Sequence, residues 1–322
     1  MGRRPLGQSG ITVFPLAFGG NVFGWTVRED REAFPILNAF VEAGGNLIDT
    51  ADSYSRWVPG NQGGESEALI GRWLRTRKDR GNLVIATKVG ADLGSGRKGL
   101  SRAHILASAE ASLKRLSTDY IDLYQSHFDD PSVPVQETLE AYQELIRDGK
   151  VRVIGASNFG ALRIREAGEV SRTLGFPRYE SLQPRYNLYD REDFEKNLAA
   201  VCHQQGMGVI PYYSLASGFL SGKYRSEKDL SQGARGKGAA SYLNERGYRI
   251  LRALDDVASS CQVSPSSIAI AWLVSREDVT AAIASATGKD QLSELVLGAT
   301  LKLDRSSLDI LDHASSWSGE GS

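Results

Sequence analysis

Three short apolar runs in this chain lead to groups that can carry charge or a proton. Asn46-Leu47-Ile48-Asp49-Thr50 delivers Asp49, Leu83 to Lys88 ends on Lys88, and Tyr120 to Gln125 runs up to His127. Such runs read as strands buried on both faces. Each group alone has an ordinary reading: Asp49 as a cap or turn residue, Lys88 as a solvated lysine, His127 as a satisfied core histidine. Together they point to a site, because a buried lysine beside a carboxylate and a histidine is costly unless paired. Tyr54 follows Asp49 by five residues, in the loop over the same strand ends. A phenol with an ordinary pKa near 10 is a poor acid at neutral pH. A neighbouring ammonium is expected to stabilise the phenolate and bring that value down, with Asp49 keeping Lys88 charged. The result would be a proton donor for an alcohol or carbonyl oxygen.

Other motifs point elsewhere and carry less. Gly94-Ser95-Gly96-Arg97-Lys98-Gly99 fits G-x-G-x-x-G, yet it follows the third strand run instead of closing the first strand of a βαβ unit, so it reads as a flexible surface loop. Gly218 to Lys223 falls one residue short of a P-loop and continues into Tyr224, though its glycines, serine and lysine can still hold a phosphate. Gly155 to Gly160 lacks the spacing of a nucleophile elbow. The four histidines, His104, His127, His203 and His313, have no metal-ligand spacing, so no metal site is expected.

The elements that must position these groups alternate regularly. Further strand runs are Phe14-Leu16-Phe18, Val151 to Gly155, Ser181 to Pro184, Val209 to Tyr212 and Ala281 to Ser285, which makes eight with the three above. Amphipathic stretches lie between them: Glu32 to Ala43, Ser66 to Leu74, one opened by Ser101-Arg102, Glu137 to Ile146, Leu162 to Leu174 and Asp190 to Gln205. Another starts at Ser264-Pro265, with proline in an acceptable first-turn position, and a last one runs from Asp290 to Leu297 before Gly298. Eight such units predict an α/β fold, a (β/α)8 TIM barrel, whose sites form at the carboxyl ends of the strands. A minimal barrel takes about 250 residues. The surplus falls in an N-terminal hairpin (Arg3 to Val13), a long Gly/Ser/Arg-rich loop (Ser214 to Tyr242) and an extra C-terminal helix (Ser306 to Ser316). No repeat or linker divides the chain, so residues 1–322 read as a single domain.

Composition excludes several function classes. With 38 Lys+Arg against 39 Asp+Glu, a net charge of -1 gives no reason to expect nucleic acid or a membrane surface as partner. Two cysteines, Cys202 and Cys261, cannot build a disulfide framework and suit a reducing compartment. No signal-peptide pattern follows the N-terminal arginines, and no apolar run approaches the roughly 20 residues of a membrane span. The expectation is a cytoplasmic protein.

Several segments together resemble the aldo-keto reductases. They are Asn46 to Tyr54, Gly64-Glu65-Ser66-Glu67-Ala68-Leu69-Ile70-Gly71, Ala86-Thr87-Lys88, Leu116 to His127, Ile154 to Phe159, Gln183-Pro184-Arg185-Tyr186-Asn187 and Ile210 to Gly218, in order over nearly the whole chain. The similarity is greater to the potassium-channel β-subunit-like branch than to aldose reductase. It implies a barrel that binds NADP(H) without a Rossmann domain, acts on a small-molecule carbonyl or alcohol, and is a monomer by default.

Carried over residue by residue, the resemblance makes Tyr54 the proton donor, Lys88 and Asp49 its tuning pair, and His127 the group orienting the substrate carbonyl. Ser157, Asn158 and Gln183 would bind the nicotinamide carboxamide, with Tyr212 stacked on the ring. Gly20, Asn21, Asp49 and Tyr213 belong to the same implied cofactor site. Leu215, Ser217, Ser221, Gly222 and Lys223 would take the pyrophosphate, Arg235 the 2′-phosphate, and Thr287, Gln291 and Glu294 the adenosine end. Leu295 stands where the family usually has an asparagine facing adenine. Phe23, Trp25, Trp57 and Phe128, with Tyr213, are aromatic residues expected over a substrate pocket. The implied activity is reversible reduction of an aldehyde or ketone by NADPH. The alternative is an NADP(H)-binding regulatory protein of channel-β type with little turnover.

Overall fold

In the computed structural model, which describes residues 2–94 and 96–317, the chain opens with an antiparallel hairpin of β1 (Arg4–Pro5) and β2 (Thr12–Val13). Eight parallel strands follow: β3 (Leu16–Gly19), β4 (Leu47–Asp49), β5 (Val84–Val89), β6 (Ile121–Ser126), β7 (Val151–Ser157), β8 (Tyr179–Gln183), β9 (Gly208–Val209) and β10 (Ala282–Ala284). Sequential neighbours pair from β3 through β9, and β10 pairs back onto β3 with Ile283 opposite Ala17. The ring closes between β9 and β10, where Thr280 N donates to Val209 O at 2.7 Å and Ile283 N to Pro211 O at 3.0 Å. The fold is therefore the expected (β/α)8 barrel.

Period-two alternation explains how one strand can serve both core and site. Leu47, Ala86 and Leu123 share the barrel interior with Leu6, Ile11 and Val13 of the hairpin segment. Two residues further along the same strands, the same face carries Asp49, Lys88 and Gln125. Apolar residues thus fill the bottom and polar residues crown the top.

The helices are α1 (Asp30–Glu42), α2 (Glu65–Leu74), α3 (Arg102–Leu116), α4 (Val135–Arg147), α5 (Ala161–Leu174), α6 (Ala199–Gln205), α7 (Gly236–Ala239), α8 (Glu245–Cys261), α9 (Pro265–Val274), α10 (Lys289–Thr300) and α11 (Arg305–Ser315). Most match the sequence expectation, and α11 is the extra C-terminal helix. A π-turn, Phe194–Leu198, runs into α6. Two differences have local causes. Helix α10 continues through Gly298 instead of ending there, because a β-carbon at Gly298 would stand 2.5 Å from Ser267 O; the glycine permits close packing on α9. Helix α8 received no element of its own from the sequence, although Asn244 caps it by accepting from Gly247 N. Its buried Ile250, Leu251, Leu254, Val257 and Ala258 repeat at helical spacing.

The G-x-G-x-x-G segment is a turn between β5 and α3, with Gly94, Gly96 and Gly99 all at positive φ; Ser95 lies outside the described residues. Among the described residues no single helix is long and apolar enough to cross a membrane.

Candidate active site

At the carboxyl end of the barrel the four singled-out groups converge. Lys88 Nζ donates to Asp49 Oδ1 and Oδ2 at 2.8 and 2.7 Å, to Thr50 O at 2.9 Å and to the Tyr54 hydroxyl at 2.9 Å. Four acceptors thus surround an ammonium that has three protons. Both Lys88 and Asp49 are buried, at 0 and 1% exposure, so the pair exists in low dielectric and depends on complete hydrogen bonding. Asp49 has that: Oδ1 also accepts from Gln183 Nε2 at 2.9 Å and Gln125 Nε2 at 3.2 Å, and Oδ2 from the Tyr54 hydroxyl at 3.2 Å. Gln125 is a site residue the sequence reading missed. Its signal was parity, since it shares the inward face of β6 two residues before His127.

His127 stands edge-on to Tyr54, with ring centroids 6.1 Å apart, and stacks on Phe128 at 4.7 Å and 16°. Burial, helped by the Lys88 charge, holds its pKa well below the ordinary 6.5, so the ring is neutral. For Tyr54 the structure corrects the expectation. Burial first, and then the Asp49 charge, push the phenol well above 10, overriding any lowering by Lys88. Lys88 itself is drawn below its ordinary value by burial, with Asp49 opposing that shift. Tyr54 therefore keeps its proton, the form a proton donor must have.

Behind this cluster lies a group that had no role in the sequence reading. Asp52 is 2% exposed, and neither carboxyl oxygen has a hydrogen-bond partner among the described residues. Glu67 faces it but is engaged, accepting from Thr87 Oγ1 and Arg115 Nε at 2.6 Å each. Burial, then repulsion from Glu67, push the Asp52 carboxyl up to about 8. Between its unfolded value near 4 and that pH the folded protein binds a proton the unfolded chain has released, so stability falls as pH rises through this window. Asp52→Asn should remove the slope. Urea unfolding is expected to find the variant on the order of 5 kcal/mol more stable than the parent at pH 8, about 1.4 kcal/mol for each unit by which the carboxyl is raised, and nearly equal to it at pH 4. The same difference at both pH values would refute the assignment.

Tyr54 and His127 open onto a cavity of about 530 Å³ whose wall also carries Asn21, Ser157, Asn158, Gln183, Tyr212, Tyr213, Leu215, Ser217 and Arg235. Tyr212 is fixed by donating its hydroxyl to Asn158 Oδ1 at 2.8 Å, and Asn158 Nδ2 donates to His127 O at 2.9 Å. Gln183 spends its amide protons on Asp49 and Gln125, which leaves Oε1 without a donor among the described residues. Asn158, Tyr213, Ala216 and Ser217 all have left-handed backbone, with φ of 57, 59, 47 and 58°. Such conformations cost about 1–2 kcal/mol each for non-glycine residues and persist where surrounding structure enforces them. Here Asn187 Nδ2 holds Tyr213 O at 3.0 Å, and the Arg185 guanidinium lies 4.6 Å over the Tyr213 ring.

Trp25, Trp57 and Phe128 line the cavity, with Trp25 meeting Trp57 edge-on at 5.8 Å. Phe23 does not. The turn Gly20–Val22 swings it inward, where it is fully buried and stacked on Phe18 at 5.4 Å. Gly20 lies under the rim, its carbonyl accepting from Ser66 Oγ at 2.7 Å. Ser221, Gly222 and Lys223 sit at the end of the turn Ala216–Ser221 and do not border the cavity. Thr287 and Gln291 pair with each other at the start of α10, and Glu294 accepts from Ser264 Oγ at 2.9 Å, all outside the cavity wall.

The donor set suits an anionic nucleotide. Arg235 is half-buried at the wall and, among the described residues, meets no carboxylate; its closest polar partner is Asn21 Oδ1 at 3.4 Å. A guanidinium partly withdrawn from water and without a counter-charge is a ready partner for an anion.

Comparison with known sequences agrees with this geometry. The sequence profile described as the aldo/keto reductase family matches residues 15–316. The chain is 34% identical over 302 residues to Aldo-keto reductase AFTS1 of Alternaria alternata, spanning 84% of this chain and 80% of that protein. It is 32% identical over 298 residues to a probable voltage-gated potassium channel subunit beta of Oryza sativa subsp. japonica, spanning 90% and 88%. It is 30% identical over 319 residues to Norsolorinic acid reductase B of Aspergillus parasiticus, spanning 94% and 81%.

Proposed function

The chain belongs to the aldo/keto reductase family, and from that premise we propose that it is an NADPH-dependent oxidoreductase reducing an aldehyde or ketone to the alcohol, reversibly. The observation that carries this reading is the Tyr54 hydroxyl held 2.9 Å from Lys88 Nζ where the cavity meets the barrel core.

Bound dihydronicotinamide supplies the hydride. The chain's own residues supply the rest. Ser157, Asn158 and the free Oε1 of Gln183 hold the carboxamide, and Tyr212 offers its ring as the stacking face. Asn21, Tyr213, Leu215 and Ser217 continue that wall, while Ser221, Gly222 and Lys223 reach the pyrophosphate from the adjoining turn. Arg235 takes the 2′-phosphate, and Thr287, Gln291 and Glu294 the adenosine end. His127, neutral and aligned by its stack on Phe128, donates to the substrate oxygen and sets its position. As the oxygen gains charge, the Tyr54 O–H turns from Asp49 to the substrate and gives up its proton. Lys88, still charged through Asp49, stabilises the phenolate left behind. Trp25, Trp57 and Phe128 form an apolar collar that keeps water from the reacting carbon.

The test is to add aldehydes and ketones to purified protein with NADPH and follow loss of the dihydronicotinamide absorbance, then repeat with NADH. Consumption with both product alcohol and a preference for NADPH is expected. Tight NADPH binding with no consumption on any carbonyl would replace the reductase reading with a regulatory, cofactor-binding one.

A further inference from the structure

One polar contact at the site has no part in the mechanism above. Ser53, immediately before Tyr54, places its Oγ 3.4 Å from His127 Nδ1. Among the described residues neither atom has another hydrogen-bond partner, and His127 Nε2 has none at all. The ring cannot readily turn away. Its backbone is fixed at both ends, His127 N donating to Val89 O at 2.8 Å and His127 O accepting from Asn158 Nδ2 at 2.9 Å, and Phe128 covers one face.

A neutral imidazole carries one N–H, and the partner of one nitrogen decides the role of the other. A carbonyl oxygen only accepts, so a substrate carbonyl is held only by the tautomer with its proton on Nε2, the nitrogen left without a protein partner. That tautomer puts a lone pair on Nδ1, which a hydroxyl can satisfy by donating. We propose that Ser53 is a positioning residue: it donates its hydroxyl proton to His127 Nδ1 and so fixes the Nε2–H tautomer that grips the substrate oxygen. The inference rests on the reductase reading for its consequence in turnover, but the tautomer itself can be observed without turnover. An alanine at 53 would leave Nδ1 to solvent and the ring free to populate the other tautomer. A threonine keeps the hydroxyl.

The experiment is two-bond ¹H–¹⁵N correlation spectroscopy of the ¹⁵N-labelled full chain near neutral pH, with the His127 signals identified by their loss in His127→Gln. A pyrrole-like Nε2 and a pyridine-like Nδ1 are expected in the parent and in Ser53→Thr, with the two shifts moving toward each other in Ser53→Ala. Carbonyl reduction by Ser53→Ala should fall roughly 3- to 10-fold in kcat/KM, the scale of one neutral hydrogen bond, with Ser53→Thr recovering most of it. Proton density on Nδ1 in the parent, or His127 shifts unchanged in Ser53→Ala, overturns the proposal. A protein that gives the expected spectra yet reduces no carbonyl would leave the tautomer assignment standing and overturn the reductase reading instead.

Discussion

Tyr54→Phe is expected to lower kcat for carbonyl reduction by about 10²–10⁴-fold, the range spanned by a positioned general acid. Stability should hardly change, and the hydrogen-bond count at Lys88 says why. Its ammonium has three protons and meets four acceptors, Asp49 Oδ1 and Oδ2, Thr50 O and the Tyr54 hydroxyl. Deleting the hydroxyl leaves three acceptors for three protons, so no buried donor is orphaned. Asp49 loses a 3.2 Å donor and keeps Lys88, Gln183 and Gln125. The variant should therefore bind NADPH as the parent does while failing in chemistry, a loss in kcat with KM for the cofactor unchanged. A variant that kept a tenth or more of the parental kcat would show that another group protonates the product.

Lys88→Met is the second large effect, and it differs in kind because it strikes fold and chemistry together. Methionine fills the channel but leaves the Asp49 carboxylate buried without its cation. Removing one member of a buried pair costs about 3–5 kcal/mol, most of it from the charge left behind. Turnover should also fall by at least about 10²-fold, since the phenolate formed on Tyr54 loses the charge that stabilises it. Combining Lys88→Met with Asp49→Asn separates the two effects. A neutral pair of similar volume should recover most of the lost stability in denaturant unfolding and none of the activity. If the double variant were no more stable than Lys88→Met, the pair would not be the origin of the loss.

Both predictions concern groups that were visible in the sequence, because strand parity and the carboxyl-end rule are local. Asp49 and Lys88 each occupy the last inward position of a short apolar run, and His127 follows such a run just past its end. What escaped notice depended on the third dimension. Gln125 shares the inward face with His127, but an uncharged amide inside an apolar run attracts no attention until Asp49 is seen to need donors. Phe23 looked like a loop aromatic over the site, and a single tight turn, Gly20–Val22, sends it into the core. The sign of the Tyr54 shift could not be read from its neighbours, since burial and a carboxylate oppose the ammonium and only the packed structure weighs them. Helix α8 was missed for a different reason: its pattern is present from Glu245, just past the irregular stretch Ser214 to Tyr242, but no strand run separates it from the next helix to mark it as a unit of its own. The Ser53 contact depends on which way one side chain points.

The closure of the sheet has a consequence for how the protein comes into being. The strand that completes the ring, β10, is made last of the eight, and its neighbours β3 and β9 are made before it. Ser285, just past β10, ties back to Asn21 through a 2.6 Å hydrogen bond across 264 residues of chain. At about 5–20 residues per second the ribosome takes roughly 13–53 s to pass from the start of β3 to the start of β10. For most of that time Asp49, Tyr54, Lys88 and His127 all exist, but the sheet that carries them has two open edges and the cavity lacks a wall. The nascent protein is thus longest exposed to edge-to-edge association just when its active residues are already made. A chain interrupted before β10 would be an incomplete curl with sticky borders, and its last strand acts as the seal that turns it into an enzyme.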